Sequence, residues 1–369
     1  MQKKQVAVLD IGSSKITALT GERGRNKTFL IKSNAAFDYD GFAEGSFLGL
    51  DSLKKALFSA AESIRKSFHG DVPVLYVGVP AAFTQVVVKN SQISFPKKKK
   101  ITDEDVEMLY EASFVLSSTK WTLINRSPII YELDDSRRVM SALGMESEIL
   151  KGVLSFVLCD NYFIEAVSPI LKAAGIQNVE FVSTSLAQAM SLIDAENRDR
   201  VAVILDVGYI TTTFSVIRGD GIIYEKSFDF GGGYITASIS EKYQIGFEEA
   251  EKLKRKVNLS RQTSRGSMDV LCVDDGAYYS IDELIETIKY SLDHLCGLIN
   301  EITENPNIKI PEYVPLCVTG GGISYIRGAK EHVSNRLGMV VEIIAPNVPL
   351  LDEPIRSASL SLLDLALEQ

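Results

Sequence analysis

The sequence is poor in the residues from which metal and acid–base centres are most often built. It has three histidines, His69, His294 and His332, none spaced to share a face with another, so a histidine-centred metal site or acid–base pair is not expected. Four cysteines, Cys159, Cys272, Cys296 and Cys317, are scattered. Three of them lie in apolar runs where a small buried thiol is the usual occupant, which argues against a disulfide framework or a cysteine metal site. No run of about 18 uncharged apolar residues occurs, and the opening MQKKQVAVLD turns polar too soon for a signal peptide; both predict a cytosolic chain. Basic residues are the minority, 39 against 48 acidic, with a formal net charge of −9, so nucleic acid is a poor partner. What remains is a soluble globular composition, 46% apolar and 24% charged over 369 residues, too long for one ordinary core and long enough for two domains.

One pattern is written twice. VAVLDIGSSKITALTGERG stands near the start and VAVILDVGYITTTFSVIRGDG some two hundred residues later. In each, a β-branched strand ends at an aspartate, a small-residue turn follows, and a second strand returns, which reads as a β-hairpin with a polar tip. Gly12 and Gly208 let backbone approach a ligand, and the turn amides with the hydroxyls of Ser13, Ser14, Thr211 and Thr212 make an anion-binding concavity. Asp10 and Asp206 end strands that point into the same space, where phosphate would repel them unless a divalent cation, through water, lies between. A single copy reads better as a plain polar turn, since an aspartate and glycine after a strand are common. Two copies a domain length apart can grip one polyphosphate from both sides. A third element, PLCVTGGGISYIRGAKEHVSNRLG, runs from an apolar strand into Gly320, Gly321 and Gly322 and on to a predicted helix, which would let a base or ribose lie against bare backbone near a positive helix end.

The order of these three elements resembles the actin, heat-shock chaperone and sugar-kinase superfamily, and within it the chain resembles the bacterial cell-division FtsA family over nearly its whole length. The stretches DYDGFAEGSFLGLDSLKKALFSAAESIRKS, ITDEDVEMLYEASFVLSS, SALGMESEILKGVLSFVLCDNYFIEAVSPILKAAGI and SFDFGGGYITASISEKYQIGFEEAEKLKRKVN carry that similarity. It implies an α/β, actin-like two-domain ATPase fold with a small α+β insert subdomain in the first domain. The implied segments are a first-domain core (1–82), the insert (83–165), a return and crossover helix (166–199), a second-domain core (200–245), its upper subdomain (246–305), the core with the adenosine motif (306–340) and a terminal segment packing on the first domain (341–369). The implied ligands are ATP and magnesium ion. Lys15, Gly232, Gly233 and Tyr325 join the nucleotide set on this resemblance. Glu251 and Lys254, three apart on one helix, either reach the ribose as the family uses them or form an ordinary solvated pair.

The resemblance also implies partners: the C-terminal peptide of the tubulin homologue FtsZ at a basic stretch holding Lys252, Arg255, Lys256, Arg261 and Arg265, further copies of the chain in a filament, and other division proteins at the insert. In that subdomain Thr102 reads as an N-cap, with Val106, Leu109, Tyr110 and Phe114 at helical spacing behind it. Lys97 to Lys100 read as a solvated loop or as a contact for anionic lipid. Leu360, Leu362, Leu363, Leu365 and Leu367 read as a helix packed on the first domain, so the membrane is expected to be reached only indirectly, at the cytoplasmic face of the septum.

Two departures from the superfamily pattern matter. Tyr209, Ile210 and Thr213 replace two glycines and an aspartate in the second hairpin, and Thr184-Ser185 stands where fast ATPases carry Glu-Pro. Nucleotide binding with at most weak hydrolysis is therefore expected. A pilus adaptor resembling PilM is the alternative reading, and a sugar or acid kinase a third; the latter needs a carboxylate base that no motif supplies.

Overall fold

Residues 5–24, 28–69, 71–261, 270–272, 278–306 and 308–369 are described by a computed structural model of the chain. The first hairpin, β1 (Gln5–Ile11) and β2 (Lys15–Arg23), pairs with β3 (Phe29–Asp38). The short ribbon β4 (Phe42–Ala43) and β5 (Ser46–Phe47) leads into α1 (Leu50–Ser67). That helix buries Leu53, Ala56, Leu57, Ala60, Ala61 and Ile64, an i, i+3, i+4 stripe. β6 (Leu75–Val79) lies parallel to β1 and is buried throughout, as a strand covered on both faces must be.

Next come the insert elements β7 (Thr84–Lys100), α2 (Asp103–Ser113), β8 (Trp121–Leu133), β9 (Arg138–Val139) and β10 (Glu146–Asp160). Their strands form one antiparallel sheet in the order β7-β10-β8-β9, with α2 on one face. α2 starts with a capping box: the Thr102 side chain accepts from the Asp105 amide while Asp105 accepts from the Thr102 amide. The four lysines Lys97 to Lys100 do not form a loop; they complete the edge strand β7. Lys98 and Lys99 reach Asp134 and Asp105, and lysine on an exposed edge discourages intermolecular pairing.

The chain returns through α3 (Asn161–Ala173), β11 (Val179–Ser183), α4 (Thr184–Leu192) and α5 (Ala195–Arg200). β11 completes the first five-stranded sheet, β11-β6-β1-β2-β3. The second hairpin, β12 (Ala202–Val207) and β13 (Thr212–Arg218), repeats the first, with β14 (Gly221–Phe228) in the place of β3. α6 (Gly232–Tyr243), α7 (Phe247–Lys256), β15 (Val270–Cys272), β16 (Tyr278–Ser280) and α8 (Ile281–Thr303) follow. Then come β17 (Leu316–Thr319), α9 (Ala329–Leu337), β18 (Val341–Ile343) and α10 (Ser357–Glu368). The second sheet, β14-β13-β12-β17-β18, mirrors the first in strand logic: an antiparallel hairpin whose first strand pairs in parallel with a later one.

Each half has its own apolar core. α10 inserts Leu360, Leu362, Leu363 and Ala366 against Val6, Val8, Leu19 and Ala187, so the end of the chain closes the outer face of the first sheet. Cys159, Cys296 and Cys317 are buried and unpaired.

Candidate functional site

The two hairpins meet tip to tip between the halves. In the first, the Gly12 amide donates to the Lys15 carbonyl at 2.9 Å and the Tyr39 hydroxyl to the Gly12 carbonyl at 2.8 Å, which fixes the turn. In the second, the Gly208 amide donates to the Thr211 carbonyl at 3.0 Å. Ser13, buried at the contact, accepts from the Ile210 and Thr211 amides at 3.0 and 3.4 Å. Two amides of one phosphate-type loop are thus aimed at an oxygen carried by the other. Gly41, in the left-handed region at φ 88°, presses on the Ser13 carbonyl and the Ile210 side chain, a position a side chain could not take. Glu44 adds a cross-domain bond, its amide donating to Asp229 at 3.0 Å.

Beneath the tips lie the two aspartates. Asp10 ends β1 beside Gly78 of β6, and Asp206 ends β12 beside Thr319 of β17. Burial, with the Asp206 charge in second place, raises the Asp10 carboxyl to about 7. Burial raises Asp206 too, against a 2.7 Å hydrogen bond from Gln188 Nε2 that favours its charged form. Two carboxylates whose proton affinity is raised by enclosure and mutual repulsion are a place where a cation lowers the energy. Among the described residues no group of three or more His, Cys, Asp and Glu side chains could hold a metal ion, so a cation here would complete its shell with water and ligand oxygen.

Thr184, at the start of α4, turns a buried hydroxyl without a hydrogen-bond partner among the described residues toward Gly78 at this floor. Its side chain is neutral, as is that of Gln188 on the same helix. Gln188 was missed by motif reading because its contact is with a residue eighteen positions away and no local pattern marks it.

The glycine-rich elements pack on the second hairpin. The Gly232 and Gly233 amides donate to the Gly208 and Tyr209 carbonyls at 2.9 and 2.8 Å, which satisfies the first turn of α6. Gly320, at φ 81°, lies against Asp206 and the Val207 carbonyl, and the Gly322 amide donates to that carbonyl at 2.7 Å. Close backbone approach, rather than an open cradle, is what Gly320 and Gly322 provide; Gly321 is half-buried beside Ile355. α9 begins at Ala329, not directly after the glycines, because Gly320 to Gly328 form a turn that buries Ile323 and Ile326 and ends with Gly328 at φ 85°. The positive helix end nearest the glycines is therefore that of α6.

Lys254 is buried, at 4% exposure, and its ammonium donates to the Gly232 carbonyl and Thr236 Oγ1, both at 2.8 Å, and pairs with Glu251 at 2.6 Å. This pair is neither solvated nor idle: it ties α7 to the first turn of α6. Arg255 takes the other Glu251 oxygen at 2.8 Å and lies within electrostatic reach of exposed Tyr325. It is exposed like Lys252, Lys256 and Arg261, but its partners lie toward the cleft. Arg265 lies outside the described residues. Lys15 is exposed, 3.9 Å from Asp38; Ser14 is half-buried; Thr212 is buried with its hydroxyl on the Phe230 carbonyl at 2.5 Å. The turn amides and hydroxyls with the paired carboxylates fit the phosphate and cation portion of a magnesium nucleotide.

Twin sheets with facing hairpins, each with an aspartate under a polar turn, define an actin-like ATPase fold. Solved structures agree: the PilM–PilN type IV pilus biogenesis complex aligns with a TM-score of 0.66 at 18% identity, covering 100% of both chains. MreB5 of Spiroplasma citri bound to AMPPNP aligns at 0.56 and 12%, covering 99% of this chain and 96% of that one. The family model described as Type IV pilus assembly protein PilM matches residues 162–361, and the chain belongs to that family. Its curated relatives include the cell division protein FtsA of Streptococcus pneumoniae serotype 2 (strain D39 / NCTC 7466), 24% identical over 97% of this chain and 79% of the relative. No helix among the described residues is long and apolar enough to cross a membrane.

Proposed function

We propose that the chain is an ATP-binding, self-assembling scaffold of cell division, linking FtsZ filaments to other division proteins through its insert subdomain. The observation that carries this reading is the pairing of two half-buried carboxylates beneath two facing hairpins, with the neutral residues Thr184 and Gln188 where a catalytic base would lie. Such a site holds a nucleotide without consuming it quickly, which suits a state marker for assembly.

On this reading Gly12, Ser13, Ser14, Lys15, Gly208, Thr211 and Thr212 hold the phosphates. Asp10 and Asp206 hold magnesium through water. Gly232, Gly233, Glu251, Gly320, Gly321, Gly322 and Tyr325 border the nucleoside, with Lys254 securing the α6–α7 wall. Bound magnesium would supply charge neutralisation between the carboxylates and the polyphosphate. Lys252, Lys256 and Arg261, with Arg255 beside the cleft and Arg265, form the basic surface for the acidic FtsZ tail. The chain reaches the cytoplasmic face of the septum through its partners and its own polymerisation.

The family match favours a second reading, a pilus adaptor that binds a short peptide of a membrane protein. Co-sedimentation with FtsZ, with and without ATP, separates the two. FtsZ-dependent pelleting supports the division scaffold. Its absence, together with capture by the N-terminal peptide of a pilus membrane protein, supports the adaptor.

A further inference from the structure

The face of the insert sheet opposite α2 carries a groove of about 450 Å³ where it meets the β13–β14 turn of the second domain. Strand register arranges its floor in two cross-strand rows: Asn90, Val153 and Ile130 in one, Gln92, Lys151 and Glu132 in the next. Arg138 borders the charged row and Arg218 enters from the second domain.

Arg218 stands out chemically. It is half-buried, its Nε is sealed from water, and no acceptor among the described residues takes a hydrogen bond from it. The nearby carboxylates are already committed. Asp220, two residues on, accepts from Arg198 at 2.9 Å. Glu132 accepts from Lys151 at 2.9 Å and Arg138 at 3.4 Å. The turn cannot swing away to hydrate the guanidinium, because Gly219 rests on the Ile129 carbonyl and the Asp220 amide donates to the Pro128 carbonyl at 3.1 Å. A sealed guanidinium donor without a partner is costly, and its planar fork matches a carboxylate.

We propose that this groove binds an acidic segment of a partner protein, with a carboxylate on Arg218 and an adjacent aliphatic side chain on Val153 and Ile130. Three cations against one carboxylate give the groove a positive balance on an acidic chain. A small inorganic anion would leave the apolar row unused, so the paired chemistry selects a peptide. The inference is independent of the nucleotide reading, since no residue is shared.

The test is fluorescence anisotropy of a labelled Leu-Glu-Leu-Glu-Leu-Glu peptide with the full chain at low salt. Arg218→Gln should weaken binding about tenfold or more, the loss of a charged hydrogen-bonded contact. Glu132→Gln should strengthen it by releasing Lys151 and Arg138, and the Leu-Lys analogue should not bind. Thermal melts check that each variant folds. Arg218→Lys, which keeps the charge but loses the fork, should fall between wild type and Arg218→Gln. Absence of binding, or binding unchanged by both substitutions, overturns the proposal. Displacement by inorganic phosphate with the same affinity as the peptide would do so as well, because the apolar row would then contribute nothing.

Discussion

Removing the Asp10 charge should stabilise the protein at neutral pH. The Asp10 carboxyl is raised from the ordinary 3.8 to about 7. Its folded state therefore holds a proton more tightly than its unfolded state, and the stability that proton contributes is full below about 4 and lost as pH rises through about 7. A displacement of that size corresponds to roughly 4 kcal/mol, and residual solvent access of a half-buried side chain reduces it to about 2. Asp10→Asn abolishes the loss, because the amide does not ionise. In EDTA and without nucleotide, wild type should lose about 2 kcal/mol more than the variant between pH 5 and pH 8, some 4 to 8 °C in Tm for a domain of this size. Asp206 and Glu225 are raised by burial as well and both remain in the variant, so the difference between the two profiles reports Asp10 together with its coupling to Asp206. Circular dichroism melts across that range measure it. Parallel profiles, or a wild type that gains stability on the variant as pH rises, would refute the account of the floor as two enclosed, repelling carboxylates.

Lys254→Met should destabilise the second domain by about 2 kcal/mol, since it removes the charged hydrogen bonds of the ammonium to the Gly232 carbonyl and Glu251 while Glu251 keeps Arg255 and Thr236 as partners; denaturant unfolding would read this, and a change below about 1 kcal/mol would contradict the tie between α6 and α7. Thr102→Ala should cost about 1 kcal/mol in the insert, the usual value of an N-cap, seen as faster amide exchange confined to α2. ATP turnover should lie far below the enzyme median of about 10 per second; a phosphate-release assay reaching that rate would mean that Thr184 and Gln188 are not the groups facing the reacting water. Gly12→Val and Gly321→Val should each abolish ATP binding in calorimetry, and unchanged affinity in both would remove these glycines from the site.

The repeat was legible because a hairpin writes itself locally: a β-branched run, an aspartate, small residues and a returning strand. The α2 capping box was legible for the same reason. The glycine run was harder. Strand, glycines and helix are all present, but Ile323 and Ile326 prefer the core, and burying them spends nine residues on a turn before α9 begins. Lys97 to Lys100 read as a loop because consecutive charges suggest solvent; on an edge strand, alternate lysines can reach solvent or neighbouring carboxylates while the backbone still pairs with β10. Lys254 could not be assigned from helix spacing, because its acceptors, Gly232 and Thr236, belong to another helix. That Arg218 Nε finds no acceptor among the described residues was equally hidden. It depends on Asp220 and Glu132 being committed to Arg198, Lys151 and Arg138, contacts that arise only when the insert sheet meets the second domain.

The hairpin contact gives the nucleotide reading its energetic logic. The Ile210 and Thr211 amides that would bind phosphate already donate to Ser13, so a nucleotide must exchange those bonds rather than simply add new ones. Neutral hydrogen bonds are each worth about 1 kcal/mol net, and charge-assisted ones to an anion roughly twice that. The exchange is favourable by only a few kcal/mol, and Gly41, Ile210, Glu44 and Asp229 continue to hold the halves together on either side of it. Tyr209 adds to this restraint, because its carbonyl caps α6 and its ring lies 6.2 Å from Phe247; the second loop cannot reshape around a phosphate as two glycines would allow. Closure is therefore largely built into the chain, and on the proposed reading ATP would adjust it by a margin that a partner or a neighbouring subunit could match. An enzyme that turns over rapidly needs a cleft that opens easily after each cycle. A scaffold needs a closed form that lasts as long as its assembly, and the contacts between these two hairpins favour the scaffold.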